Sequence, residues 1–300
     1  MKTRRRQNGS ALLLSLWALL ILSVAVFGLA KFINQGIDSV RDANMGLDAK
    51  ALAYSGVTIA LNPDVYPQTP ALVADFGQNR GFKARMVGEG GKLNLNFLLA
   101  GEQPQRLDIL KNYLRYRGLK FEQIQTLVDC MLDWVDPDNI KHLNGAEDEG
   151  DYHPANRPFQ SLDEVAKVKG SRPLVTLPHW QDDFTLYSNG TIDLQSATVA
   201  VLSSLPGVGE ARARLLVQYR QGPDKQDGTL DDHIFKDINE ALSFLGYSGQ
   251  GNNPLSGLVG LKDPTYHIIS VGSSGKVDRQ VEVVAQKVGT RPNILLWKEN

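Results

Sequence analysis

Two stretches of the sequence crowd carboxylates beyond what solubility requires. The first begins Asp133-Trp-Val-Asp136-Pro-Asp138 and continues through Asn144-Gly-Ala-Glu147-Asp148-Glu149-Gly-Asp151, placing seven acids within 19 residues of a segment broken by Pro and Gly. Acids at that density repel one another unless water or a cation screens them. Oxygen-only clusters, without Cys or His, suit a hard cation, Ca2+ in particular. Asp133, Asp136, Asp138, Glu147, Asp148 and Asp151 are the candidate ligands. The second stretch, Asp224-Lys-Gln-Asp227-Gly-Thr-Leu-Asp231-Asp232-His, resembles an EF-hand loop superficially, but Asp224 and Asp227 have the wrong spacing and no Glu closes the loop. A different oxygen-rich calcium loop built from Asp224, Asp227, Asp231 and Asp232 stays open. For both stretches the plainer alternative is a solvated acidic turn that also caps helices.

Leu205-Pro-Gly207-Val-Gly209 lies between two helical patterns and has the form of a helix–hairpin–helix turn, which in DNA-binding versions brings backbone N–H groups up to a phosphate. Glu210 follows at once. A carboxylate there complements the helix dipole itself and repels phosphate. Arg212, Arg214 and Arg220 add basic character, yet the balance favours a structural or protein-contact use and no nucleic-acid partner, with a membrane-anchored DNA-uptake protein using this turn as the alternative. Catalysis finds no support. The five histidines (His142, His153, His179, His233, His267) form no HExxH, no GxSxG or P-loop occurs, and Gly272-Ser-Ser-Gly275 reads as a hairpin turn. Scattered histidines of this kind are usually surface or satisfied residues. A non-enzyme without a small-molecule substrate is expected. Cys130, the single cysteine, allows no intramolecular disulfide and reads as a small buried hydrophobe in a helical pattern.

The elements that must position these residues come from a chain of 300 residues with 42 % apolar and 22 % charged content and net charge −1, which is ordinary globular composition. Lys2, Arg4, Arg5 and Arg6 precede Ala11–Ala30, a run of 20 residues without a charge. At ~1.5 Å per residue the run reaches ~30 Å, the thickness of a bilayer core. The cations in front place the N-terminus in the cytoplasm and the bulk of the chain across the membrane. Three readings of this segment compete: a secretory signal cut near Gly28-Leu29-Ala30, a plain uncleaved anchor, and a type IV prepilin-like leader cut between Gly9 and Ser10 with the apolar run retained. The third is favoured because helical spacing of apolar residues continues past Lys31 to Leu61 without a proline, so one helix spans about 10–61, apolar all round in its first half and amphipathic in its second.

Beyond Pro63 a loop leads to two alternating runs, 81–86 and 92–97, that read as a hairpin. From 99 to 262 the strand signal disappears and six helical patterns follow, the third opened by a Ser161–Glu164 capping box. Alternation returns at 266–271 and 276–288, joined by the glycine turn, before a loose tail at 291–300. The layout predicts an α+β fold: the long helix packed on a small antiparallel sheet built from 62–98 and 263–290, with a large all-helical domain, 99–262, inserted between its hairpins.

Taken in order, Gly9-Ser10 with its apolar run, Gly91-Lys-Leu-Asn-Leu-Asn96, Leu132-Asp-Trp-Val-Asp-Pro-Asp138, Asn144-Gly-Ala-Glu147, Asn156-Arg-Pro-Phe159, Ser161-Leu-Asp-Glu164, Thr191-Ile-Asp-Leu194 and the Leu205–Gly209 turn resemble the K-type minor pseudopilins of the bacterial type II secretion system. The resemblance implies a pilin-like fold with an inserted helical domain and a leader, residues 1–9, removed by prepilin peptidase with N-methylation of Ser10. It implies calcium binding without choosing ligands. It also implies a place in the inner membrane at the tip of a pseudopilus, beside the I- and J-type minor pseudopilins and the major pseudopilin, serving export of folded proteins. Most pilins carry Glu at the fifth mature position, an intramembrane acid that seeks a neighbour's amine. Leu14 stands there in this chain, which departs from pilins generally and fits the K type. Asp193 stands where the family commonly has Asn, and 171–186 is divergent.

Overall fold

The computed structural model describes residues 8–227, 229, 231–247, 253–289 and 291–299, with backbone alone for 8–11. One helix, α1, runs from Asn8 to Ala60. Over most of its length it is bare: every side chain from Leu12 to Val40 is exposed, including Phe32, Ile33 and Ile37 beyond the uncharged run. The amphipathic stripe expected from residue 31 therefore starts to pack only near Met45. Ala49, Leu52, Ala53, Val57 and Ala60 are buried, at the three- and four-residue spacing that keeps one helix face on a partner.

That partner is a sheet. After α1 come β1 (Val73–Asp75) and β2 (Arg80–Gly88). The chain then leaves through β3 (Leu93–Asn94), α2 (Leu95–Leu99), α3 (Pro104–Tyr116), α4 (Phe121–Val135), α5 (Arg172–Val175), β4 (Phe184–Thr185) and β5 (Ile192–Asp193). It continues through α6 (Val199–Ser204), α7 (Gly209–Arg220), α8 (Ile238–Phe244) and β6 (Val259–Gly260), and returns as β7 (Thr265–Ser274), β8 (Val277–Gln286) and β9 (Asn293–Glu299). The sheet order is β1-β2-β7-β8-β9, antiparallel throughout. Ala84, Met86, Ile268, Val281, Val283 and Ala285 meet Ala53, Val57 and Ala60 in one core. Helix and strand approach so closely that a Cβ on Gly272 would lie 2.1 Å from the Ala49 carbonyl oxygen, so that position requires glycine.

Three expectations about strands need correction. Residues 81–86 and 92–97 do not form a hairpin. β2 pairs with β7 (Arg80 opposite Ser274, Gly88 opposite Tyr266), while β3 makes a two-residue parallel pair with β4 and 95–99 is helical. The alternation of Asn94 and Asn96 imitated a solvent face. Asn94 caps α2 by accepting the Phe97 N–H, and Asn96 clamps both backbone groups of Phe159 at 2.9 Å. Leu93, Leu95 and Leu98 accordingly belong to the core of the inserted region and not to the sheet. The tail at 291–300 is not loose over 293–299, which adds β9, anchored by a Lys50–Glu299 ion pair and by Trp297 against Tyr54. The β7–β8 turn falls at Gly275-Lys276, with Gly272 and Ser273 inside the strand.

The inserted region has its own core, running from Leu93 to Leu258, and contains two two-residue parallel pairs besides its helices. Ser161 caps only a 3-10 turn, Leu162–Lys167; Glu164 turns instead to Arg157 and the Gln160 N–H. The β7–β8 turn lies beside Asp42, on the bare side of α1, whereas Lys287 reaches the Ala60 carbonyl at the opposite end of the sheet. The insert leaves at Gly88 and returns at Thr265, at that opposite end, so it sits away from the apolar stalk.

Candidate functional site

The first acidic loop begins at the C-terminus of α4. Asp133 and Asp136 occupy its last turn and C-cap with no basic residue beside them, a place where the helix dipole disfavours negative charge. Asp133 is fully buried, and its Oδ1 accepts the His142 backbone N–H at 3.0 Å and faces His142 Nδ1 at 2.5 Å. Among the described residues its Oδ2 has no hydrogen-bond partner. Neither has Asp136 Oδ1, nor either oxygen of Glu147, which is 8 % exposed, nor Asn156 Oδ1. Burial, followed by the neighbouring Asp138 and Asp133 carboxylates, pushes the Asp136 pKa up. Burial and then Asp133 and Asp136 push Glu147 up likewise. Buried carboxylate oxygens without donors are costly unless a positive charge or a proton compensates them. Gly145 keeps the space open: a Cβ there would fall 1.8 Å from Asp133 Oδ2. The ligand atoms that lie within 4.8 Å of one another belong to Asp133, Asp136 and His142, and Glu147 adds a further buried carboxylate to the same loop.

The other candidates of this loop lie apart. Asp138 is exposed and accepts the Ile140 N–H at 2.8 Å, Asp148 is exposed and faces His153, and Asp151 is exposed. The residue that the sequence reading set aside is His142, whose ring shares with Asp133 and Asp136 a set of ligand atoms all within 4.8 Å of one another. Its signal was its place inside the acid-rich stretch, between Asp138 and Glu147.

The second loop spends its carboxylates individually. Both oxygens of Asp227 take Arg220, at 3.0 and 3.2 Å, and the Arg220 guanidinium also donates to the Leu194 and Ala197 carbonyls. Asp231 accepts the Thr229 hydroxyl and the Asp224 N–H, which hold its pKa below the ordinary carboxylate value. Asp232 accepts the Thr229 N–H, and Asp224 the Gln226 N–H. Gly228 and Leu230 lie outside the described residues. Asp227 is fastened to Arg220 of α7, and the other three aspartates accept hydrogen bonds from their own loop.

At the Leu205–Gly209 turn each arginine is engaged within the chain. Arg212 donates to the Gly207 and Leu245 carbonyls, Arg214 pairs with Glu210, and Arg220 is buried. Tyr247 seals the turn through the Pro206 carbonyl at 2.6 Å. The motif is an internal brace joining α6, α7 and α8.

Gly9 and Ser10 lie in the first turn of α1; their side chains and residues 1–7 are outside the described residues. A helix apolar and bare over a bilayer's length, whose far end packs on an antiparallel sheet, defines a single-pass, membrane-anchored, pilin-like subunit.

Comparison with known proteins narrows the class. Residues 91–176 match the family model "Type II secretion system (T2SS), protein K". Type II secretion system protein K of Pseudomonas aeruginosa is 26 % identical over 250 residues, covering 74 % of this chain and 68 % of the relative. A chain in the crystal structure of the GspK-GspI-GspJ complex from the enterotoxigenic Escherichia coli type 2 secretion system superposes with a TM-score of 0.60 at 14 % identity, covering 88 % of this chain and 99 % of that one. The chain is thus similar to the type II secretion system K proteins over its inserted region and in its pilin-like α+β fold.

Proposed function

We propose that this chain is a non-enzymatic tip subunit that helps initiate a type II secretion pseudopilus and thereby the export of folded periplasmic proteins across the outer membrane. The observation that carries the reading is the division of α1. Its apolar part is exposed and available for insertion and bundling, while its other end bears a large insert with its own core, a bulk that favours a cap over a shaft. Leu14 supports the same placement, because without an acid at that depth the subunit lacks the usual charge pair with one already above it. The relative solved in complex with GspI and GspJ supports I- and J-type minor pseudopilins as partners, with the major pseudopilin below. The cations before the apolar run favour an inner-membrane protein with a cytoplasmic N-terminus and a periplasmic bulk. Prepilin peptidase cuts after Gly9, and Ser10 becomes the methylated N-terminus.

The first acidic loop holds Ca2+ through Asp133, Asp136 and Glu147. The ion supplies the positive charge that their unpartnered oxygens require and ties the α4 C-terminus to the returning loop.

Mass spectrometry of the native N-terminus tests the reading, with methylated Ser10 expected. A mature chain beginning at Lys31 would refute the stalk. Failure of the full chain to co-purify with its I- and J-type partners from detergent would refute the tip assembly.

A further inference from the structure

We propose that His267 is a pH-sensitive latch between the inserted region and the sheet: its doubly protonated ring joins Glu89 to Glu282, and loss of one proton frees the insert to rock on the pilin-like unit. The proposal concerns the joint between these two parts of the chain and stands apart from the reading of the acidic loops and of the filament tip.

The chain crosses the joint twice, at 88–92 going out and at 262–265 coming back. Both crossings are fastened to the insert. The Asp193 N–H donates to the Gly90 carbonyl at 2.8 Å, and the Asp263 N–H to Asp193 Oδ2 at 3.3 Å. Asp263 in turn accepts the Asn189 N–H at 3.0 Å. A Cβ on Gly90 would collide with the Asp263 side chain, and one on Gly91 with the Ser196 backbone, so the outgoing segment lies flat on the insert. The step from insert to sheet falls at Glu89 and Thr265, where the Glu89 N–H donates to the Thr265 carbonyl at 2.9 Å. Rocking of the insert is taken up at this step.

The Glu89 carboxylate spans the step. The residue is 2 % exposed. From the insert side Lys92 Nζ reaches its Oε1 at 2.6 Å, and the side chain of Thr185 on β4 also bonds to it. From the sheet side His267 on β7 places Nδ1 3.5 Å from the same oxygen, while its Nε2 meets Glu282 Oε1 on β8 at 2.9 Å. Burial works against the Glu89 charge, but His267, Lys92 and Thr185 together outweigh it and hold the carboxyl below its ordinary value, so Glu89 is ionised.

An imidazole between two carboxylates can present a proton to both only when both nitrogens are protonated. Imidazole is also the side chain whose charge changes between about pH 5 and 8. The charged ring completes a chain of contacts from Lys92 and Thr185 through Glu89 and His267 to Glu282, from insert to sheet. The neutral ring keeps one N–H, which stays on the nearer carboxylate, Glu282, and turns a lone pair toward Glu89. Glu89 is then left with Lys92 and Thr185, which move with the insert, and the side-chain link to the sheet opens.

The other charges around the joint do not replace that proton. Lys298 on β9 lies opposite Glu282, and Arg85 on β2 lies opposite Ile269 in the same row. Both can support Glu282, and neither is an ion-pair partner of Glu89 among the described residues. Asp193 and Asp263 accept backbone N–H groups, and burial holds Asp193 above its ordinary value. Tyr187, pushed up by burial and then by Glu89 and Glu282, stays neutral.

The test is amide hydrogen exchange of the full chain in detergent, read by mass spectrometry from about pH 5.5 to about pH 8.5 and corrected for the intrinsic rate at each pH. Peptides covering 86–92 and 263–268 should lose about tenfold in protection as pH rises, while peptides covering 49–60 and 121–135 keep theirs. His267→Gln, which cannot take up the second proton, should show the low protection at both ends of the range. Glu282→Gln should move the midpoint of the fall to lower pH, because a carboxylate beside the ring favours its charged form. Protection at the joint that is flat with pH in the unaltered chain would overturn the latch, and so would an equal fall in all four peptides, which marks a change in global stability. An unchanged fall in His267→Gln, or an unmoved midpoint in Glu282→Gln, would give the titration to another group and overturn the role of His267. Each variant is read independently, so poor folding of one leaves the other to decide.

Discussion

The two acidic loops have similar composition and opposite surroundings. In the 224–232 loop every carboxylate has a donor of its own, and the deepest charge is a cation, Arg220, 2 % exposed against an Asp227 that is 52 % exposed. In the 133–147 loop the carboxylates are the buried partners. Asp133 and Glu147 lie under 10 % exposed with oxygens that, among the described residues, have no hydrogen-bond partner, and no ion pair there neutralises Glu147. Carboxylates near a surface satisfy themselves with hydroxyls, backbone N–H groups and water. Carboxylates folded inward with no such donors must share a cation or be protonated. The contrast teaches that acid-rich composition does not by itself make a candidate metal site; burial without donors is what singles one loop out.

Four experiments break or sharpen this comparison. Arg220→Ala strikes the loop that carries its own cation. It strips the Leu194 and Ala197 carbonyls of their donor and leaves a cavity, so denaturant unfolding should show a loss of about 3–5 kcal/mol that no divalent ion repairs. Chelation strikes the other loop. With the ion at a hundredfold its Kd, its removal costs about 2.7 kcal/mol, a fall of roughly 5–10 °C in melting temperature. Gly145→Ala should abolish that chelator response, since its Cβ occupies the space beside Asp133 Oδ2. A chelator response retained in Gly145→Ala would break the assignment of the ion to this loop.

The third experiment uses pH. In the metal-free protein Asp136 and Glu147 titrate above their ordinary values of 3.8 and 4.5, so the folded state binds more protons than the unfolded state in the window from those values upward. Stability from these two groups is therefore present below the ordinary values and declines as pH rises through the raised ones. Urea midpoints measured with chelator should fall across that window, and saturating cation should flatten the dependence. Asp224→Asn in the second loop is the smallest change: it should alter stability by no more than about 0.5 kcal/mol and leave the chelator response unaltered.

Cys130 supplies a local reporter of the same contrast. Its Sγ donates to the Asn144 carbonyl at 3.7 Å, and burial pushes the thiol up to about 11. It should resist thiol reagents while the ion holds the loop, and react faster after chelation.

Legibility followed the range of the interaction. The 53-residue helix was readable because a run without charge, followed by three- and four-residue spacing and no proline, is a local pattern. Helix α8 was readable for the same reason, with Asp237 accepting the Asn239 and Glu240 N–H groups as its cap. The hairpin assigned to 81–97 failed where period-two alternation had another cause: Asn94 and Asn96 face the Ser188 and Phe159 backbones and not water. β9 was missed because a short segment after Pro292 becomes a strand only when β8 offers it an edge. At the candidate site, Asp133, Asp136 and Glu147 were named from their spacing, whereas His142 joins them through a loop return, and Glu102 reaches it from 40 residues away.

From the order of residues alone follow the membrane stalk, the α+β class, the placement of an insert between strands and the two places where acid accumulates, since each depends on near neighbours in the chain. The fold decided which strands pair, where the stalk stops being bare and which acidic loop is left short of donors. Those outcomes depend on the burial of groups distant in sequence, and the cost of a buried charge exists only once the surrounding elements have packed.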